Sequence, residues 1–109
     1  VHICFQLDIE PVVEIHNEID LTSALDSGAN TIAVNARDLQ TQSIDQAAAL
    51  ELLSMIPGDR AKLLFSGIKS PEDVRNAREN GAHGVLVGTA ALESNDRVQF
   101  VRSLKEACS

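Results

Sequence analysis

The chain has 109 residues, enough for one domain, since domains usually contain roughly 100–150 residues. Its 44% hydrophobic and 23% charged residues are ordinary for a globular protein, and no apolar run is long enough to cross a membrane. Sixteen Asp and Glu outnumber nine Lys and Arg, and the net charge of −7 argues against nucleic acid or an anionic membrane as the main partner. A small anionic ligand is compatible with this charge because backbone amides can bind one locally.

The two cysteines, Cys4 and Cys108, lie near opposite ends of the sequence and have no metal-ligand spacing. We expect both to be reduced thiols in a cytoplasmic protein. The first residue is Val1 instead of Met, so we expect further residues upstream. The sequence does not begin with the basic residues and following apolar segment that are typical of a signal peptide, so none is predicted.

Short apolar runs alternate with amphipathic segments after a leader at residues 1–10, which we interpret as the end of an earlier helix. The apolar runs predict strands at 11–15, 31–35, 62–65 and 84–88. A segment with helical spacing of apolar residues follows each run, which gives the order βαβαβαβα. Such alternation predicts an α/β fold in which helices cover a parallel sheet.

The predicted helices have clear starting points. Asn17, Asp45 and Ser70 each precede a helical segment and are residue types suited to an N-cap. Apolar spacing makes Ile19 a core candidate in the first helix and Val98 one in the last.

Two parts of the sequence resemble each other. Residues 26–35 are similar to residues 79–88, and each segment places a glycine, Gly28 or Gly81, where a helix would end before a strand. The offset corresponds to two βα units, as expected for a barrel built from repeated βα units. Convergence on a common helix-to-strand loop is the alternative, and both explanations indicate the same architecture.

Polar side chains cluster where the first predicted strand ends, at the sheet edge where parallel βα proteins bind ligands. Glu14 is a carboxylate in an apolar strand, which suits a general acid or base with a tuned environment. Alternatively, Glu14 faces outward between helices or pairs with Arg37. We interpret Arg37 and Asp38, which follow the second strand, as a local ion pair. His16 follows Glu14 by two residues and would share the same face, and we interpret it as a hydrogen-bonding loop residue.

The ends of the other strands supply further candidates. Asn35 could bind a ligand hydroxyl or simply form a turn. Small residues, Ser66 with Gly67 and Gly88 with Thr89, follow the last two strands. Because glycines allow backbone amides to approach a phosphate, and barrel phosphate sites use the loops after strands seven and eight, we favour a phosphate site over mere tight turns.

Four motifs occur in order at residues 13–18 (VEIHNE), 34–39 (VNARDL), 66–74 (SGIKSPEDV) and 85–90 (VLVGTA). Together they resemble the C-terminal half of indole-3-glycerol phosphate synthase, an enzyme of tryptophan biosynthesis. The resemblance covers nearly the whole chain. It implies that residues 1–109 form a single domain, the parallel (βα)4 half of a TIM (βα)8 barrel that contains strand-helix units five to eight.

The resemblance also implies an activity. The family closes the ring of a carboxyphenylamino-deoxyribulose phosphate with loss of carbon dioxide and water, and it uses no metal or organic cofactor. By position in the motifs, Glu14 matches the catalytic glutamate, and Asn35 and Ser66 match substrate-binding residues. The remaining matched positions, implied to bind phosphate, are Gly67, Gly88 and Thr89.

Two departures from the family pattern limit this expectation. Phe65 stands where the family usually has a glutamate, and the catalytic lysines of the family's N-terminal half have no counterpart here. A half-barrel would also leave strand edges and an apolar face exposed, so we expect a second copy or a missing N-terminal half to cover them. The alternative function is a non-catalytic, self-associating half-barrel that retains a phosphate site; a different phosphate-binding barrel enzyme would not explain the first two motifs.

Overall fold

The structure, a computed structural model, describes residues 1–38, 40–41 and 43–108. The strands are β1 (Val12–Ile15), β2 (Thr31–Asn35), β3 (Ala61–Phe65) and β4 (Gly84–Leu86). The helices are α1 (His2–Gln6), α2 (Glu18–Asp26), α3 (Gln46–Met55), α4 (Pro71–Glu79), α5 (Thr89–Glu93) and α6 (Arg97–Ala107). Leu39 of the second motif and Gln42 of the following loop lie outside the described residues.

The N-caps predicted for the first three long helices are confirmed. The side chains of Asn17, Asp45 and Ser70 accept hydrogen bonds from backbone N–H groups in the first turns of α2, α3 and α4. These bonds satisfy amides that have no partner within the helix, so each cap fixes where its helix begins.

The similar segments of the sequence also end their helices in the same way. Gly28 follows the C-cap of α2 with φ of 79°, and Gly81 follows the C-cap of α4 with φ of 99°. Both angles lie in the left-handed region that glycine adopts without steric cost. The chain therefore turns from helix to strand by the same device in both copies.

In the described part of the chain, the four strands form one parallel sheet in the order β1-β2-β3-β4. Glu14 pairs in register with Ala33, while Asn35 pairs with Phe65, which in turn pairs with Leu86. Residues in register on parallel strands point to the same side of the sheet. These side chains therefore share one face, and the predicted α/β fold with a parallel sheet is confirmed.

The two faces of the sheet differ in burial. The side packed against the helices, here called the helix face, contains Ile15, Ile32, Val34 and Leu64, all of them fully buried or nearly so. The opposite side, here called the open face, contains Val12, Glu14, Asn35, Phe65 and Leu86. Val12 is 46% exposed and Leu86 is 58% exposed. This parallel four-stranded sheet, with helices packed on one side and a largely exposed second side, has the architecture expected of half of a (βα)8 barrel.

Some boundaries and core assignments differ from the sequence prediction. β4 ends at Leu86, and Gly88 is the N-cap of the short helix α5, which the sequence did not predict. The core assignments of Ile19 and Val98 were wrong, since these side chains are 79% and 67% exposed. In α2 the buried residues are Leu21 and Ala24, and Ile19 lies two residues before Leu21, on the far side of the helix.

The described residues include no helix that is both long enough and apolar enough to cross a membrane. Cys4 and Cys108 are free cysteines in the structure.

Candidate functional site

Glu14 and Asn35 meet at the carboxyl edge of the open face. The Asn35 Nδ2 donates to Glu14 Oε1 at 3.1 Å, and the backbone N–H of Arg37 donates to Asn35 Oδ1 at 3.0 Å. Because the Arg37 amide fixes which end of the Asn35 side chain faces Glu14, one oxygen of the carboxylate has a defined partner. The sequence-predicted catalytic and substrate-binding residues of the first two strands are thus in direct contact.

His16 lies directly after β1 and next to the same carboxylate. Its Nε2 is 3.6 Å from Glu14 Oε2, and its Nδ1 is 3.7 Å from Asp20 Oδ2. Asp20 Oδ2 also accepts the backbone N–H of His16 at 2.8 Å. The imidazole therefore lies between two carboxylates, and the prediction that His16 shares the face of Glu14 is consistent with this position.

Asp38 shapes the loop that follows β2. Its Oδ1 accepts the backbone N–H groups of Gln40 at 2.8 Å and Thr41 at 3.0 Å. These hydrogen bonds, first that from Thr41 and then that from Gln40, hold the pKa of the Asp38 carboxyl below its ordinary value, with a smaller contribution from the charge of His16. The loop beside the site is therefore stabilised by an ionised carboxylate.

The turn after β3 has unusual backbone angles. Ser66 has φ of 67° and Gly67 has φ of 79°, so two consecutive residues lie in the left-handed region. A Cβ at Gly67 would also collide with Oε1 of Gln46, the first residue of α3. The Gln46 side chain is flexible and can move aside, so the left-handed backbone is the reason that position 67 favours glycine. Strained backbone of this kind is concentrated at ligand-binding sites in proteins.

A cavity of about 430 Å³ lies between the turn after β3 and the start of α5. All four small residues singled out in the sequence line it, namely Ser66, Gly67, Gly88 and Thr89. Arg37 and Lys69 supply positive charge to its lining, and Glu93 supplies a negative one. The two loops predicted to act together do therefore form one concave surface.

Sequence reasoning missed several residues of this edge. Arg37 was interpreted as half of a local ion pair with Asp38, yet it lines the first cavity and also a second one of about 490 Å³ next to His16 and Asn35. Lys69 was not singled out, although its position two residues after Gly67 was a usable signal. Within the ranges 1–38, 40–41 and 43–108, no cluster of three or more His, Cys, Asp or Glu could hold a metal ion. The absence of a cofactor remains a prediction.

The sequence matches the family model described as indole-3-glycerol phosphate synthase over residues 1–104. The chain belongs to this family. It is 39% identical over 101 residues to the indole-3-glycerol phosphate synthase of Parafrankia sp. (strain EAN1pec), covering 93% of this chain and 38% of that protein. It is 36% identical over 102 residues to the enzyme of the same name from Desulfosudis oleivorans, covering 94% of this chain and 39% of that protein.

The chain thus spans about two fifths of the length of these two relatives. Among solved structures, it superposes on thiamine phosphate pyrophosphorylase from Pyrococcus furiosus with a TM-score of 0.74. The superposition covers 95% of this chain and 50% of that one at 12% identity, so it bears on the fold alone. The resemblance derived from the four motifs is confirmed at the level of the family.

Proposed function

We propose that residues 1–109 form a single half-barrel domain that supplies strand-helix units five to eight of a cytoplasmic indole-3-glycerol phosphate synthase. The completed barrel would convert carboxyphenylamino-deoxyribulose phosphate to indole-3-glycerol phosphate, with loss of carbon dioxide and water and without a cofactor. The observation that carries this proposal is the hydrogen bond from Asn35 to Glu14 at 3.1 Å, on the sheet edge that also holds the cavity between the last two strands.

Glu14 is the proposed proton-transfer group. Its side chain is 39% exposed on the open face, so it is accessible to a substrate lying across the ends of the strands. Oε1 is held by Asn35, which leaves Oε2 to exchange a proton with the substrate. Asn35 is placed to bind a substrate hydroxyl beside the reacting atoms.

The substrate phosphate is proposed to bind in the cavity lined by Ser66, Gly67, Gly88 and Thr89. The volume of about 430 Å³ is ample for a phosphate group, and Lys69 and Arg37 add positive charge to the lining. Glu93 opposes this charge from α5, so we expect backbone amides and hydroxyls to supply part of the affinity.

The chain needs a partner to perform this reaction. Glu14 has no lysine of the family's N-terminal half beside it, and Val12 and Leu86 leave the open face exposed. A segment that carries four further βα units would cover this face, pair with the free edges of β1 and β4, and bring the missing lysines to the site. We call the product of this pairing the assembled barrel.

The proposal is tested by co-expressing the chain with the first four βα units of a relative such as the Parafrankia enzyme and measuring formation of indole-3-glycerol phosphate. We expect turnover by the assembled barrel, none by either half alone, and loss in Glu14→Gln. A second assembled barrel with Phe65→Glu restores the carboxylate usual in the family, and we expect faster turnover from it. Absence of product from both barrels would overturn the proposed activity.

The alternative is a non-catalytic half-barrel that self-associates and retains a phosphate site. Phe65 favours it, because an apolar ring replaces a substrate-facing carboxylate on the open face. Light scattering over a concentration range distinguishes the two. A dimer of the chain alone whose Gly67 and Gly88 amides shift with inorganic phosphate would support the alternative, and a stable monomer would exclude the self-associating form.

A further inference from the structure

The side chain of His16 contains a buried polar atom that the proposed function does not use. Its Nε2 is inaccessible to solvent and has no hydrogen-bond partner among the described residues, although the side chain as a whole is 26% exposed. Buried polar atoms are nearly always hydrogen-bonded, so an orphan beside a candidate active site requires an explanation.

The neighbouring atom that could satisfy Nε2 is Glu14 Oε2. The distance of 3.6 Å is within ion-pair range but too long for a hydrogen bond. Hydrogen bonds in active sites are often long without substrate and shorten in the substrate complex, and here a movement of less than about 1 Å would suffice.

Asp20 lies on the other side of the imidazole and binds the backbone of His16. Its Oδ2 is 3.7 Å from Nδ1 of His16 and accepts the backbone N–H of the same residue at 2.8 Å. Asp20 is itself fixed at the start of α2, because its N–H donates to the Asn17 side chain at 2.8 Å. These side chains form a row in the order Asp20, His16, Glu14, Asn35. Both ends of the row are held by backbone groups, because the His16 N–H binds Asp20 and the Arg37 N–H binds Asn35.

We infer that His16 is a positioning residue that fixes the second oxygen of the Glu14 carboxylate. Asn35 binds Oε1, and His16 Nε2 already faces Oε2 at 3.6 Å in the chain itself and donates to it at a shorter distance when substrate is bound. With both oxygens directed, the carboxylate presents one lone pair to the reacting atoms instead of rotating about its last bond. His16 acts through Glu14 and needs no contact with the substrate. The kinetic part of this inference rests on the proposed function.

Two substitutions separate positioning from packing. Phe in place of His16 keeps a ring of similar size and removes the donor, whereas Gln keeps an N–H donor close to the position of Nε2. In the assembled barrel we expect His16→Phe to lower kcat by roughly 10- to 100-fold, by analogy with the loss of residues that orient metal ligands through hydrogen bonds. KM should hardly change, and His16→Gln should keep most of the turnover. His2→Gln, at an exposed histidine of α1, is the matched control.

A second measurement needs no activity. The side-chain amide of Asn35 gives a separate NMR signal that reports the position of Glu14, and it can be followed in the chain itself. We expect this signal to shift in His16→Phe and to stay in place in His16→Gln and His2→Gln. Equal kinetics for the Phe and Gln variants, or an unchanged Asn35 signal in His16→Phe, would overturn the inference. An inactive assembled barrel with the shift intact would count against the proposed activity and not against the role of His16.

Discussion

The helix face and the open face are formed by the same four strands, yet they have different roles. On the helix face, Ile15, Ile32 and Leu64 are fully buried, so the packing is already complete. On the open face, Leu86 is 58% exposed, and the same face carries the hydrogen-bonded Glu14 and Asn35. Stability is therefore concentrated on one side and candidate chemistry on the other, and substitutions on the two sides should have separable effects.

The largest expected effect is the loss of turnover in Glu14→Gln. Removing a general acid or base lowers kcat by roughly 10²- to 10⁴-fold, and Gln retains an oxygen that can accept from Asn35. Steady-state kinetics of the assembled barrel measure the loss, and urea unfolding of the chain should give an unchanged midpoint. A variant that unfolds early would show that the open face also maintains the fold.

The next largest effect is on stability. Leu64→Ala removes a fully buried side chain from the helix face and should lower the free energy of unfolding by about 2–5 kcal/mol. Leu86→Ala, on the neighbouring strand but 58% exposed, should cost less than about 1 kcal/mol. Chemical denaturation of the two variants gives the comparison directly. Equal losses would mean that a partner already covers the open face in solution.

A smaller effect concerns a helix that packs beside the helix face. Ser70→Ala removes the acceptor for the N–H of Asp73 at the start of α4 and should cost about 1 kcal/mol in unfolding free energy. Ser70→Asp keeps an acceptor and serves as the control. If both variants lose the same stability, the Ser70 side chain acts through some contact other than the cap.

The smallest effect depends on pH. The pKa of Asp38 is lowered in the folded chain from the ordinary value of 3.8, so the folded state favours the ionised carboxyl. The stability from this preference is fully present above that ordinary value and is lost as the pH falls through the lower value of the folded state. Asp38→Asn should therefore be less stable than the native chain at neutral pH and approach it in acid. Parallel stability curves in urea titrations would contradict this expectation.

Sequence patterns predicted the parts of the fold that depend on local chemistry. Asn17 and Ser70 could be identified as caps because side-chain oxygens at those positions satisfy helix amides. The core prediction for Ile19 was wrong because a short helix has too few apolar residues for their spacing to decide which face of the helix is buried. The short helix α5 was missed because a segment of five residues carries too little periodicity.

The site was predicted less completely than the fold. Strand-end positions brought Glu14 and Asn35 to the same edge, but their hydrogen bond depends on the register of β1 and β2, which no local pattern specifies. His16 was expected on the same face as Glu14 but was interpreted as an ordinary loop residue, because the position of Asp20 on its other side becomes visible only in three dimensions. Arg37 was assigned to an ion pair with Asp38 because its place in the lining of two cavities is likewise visible only in three dimensions.

The left-handed backbone at Gly67 has a consequence for how this sequence can diverge. With φ of 79°, an L side chain at position 67 is strained whatever space surrounds it, so Gly and, after it, Asn are the favoured residues there. The Gln46 oxygen that a Cβ would meet is the end of a flexible side chain and can move aside. Divergence at position 67 is therefore limited by the backbone conformation. An evolving lineage, or a selection from a random library, should keep Gly there whatever residue stands at position 46.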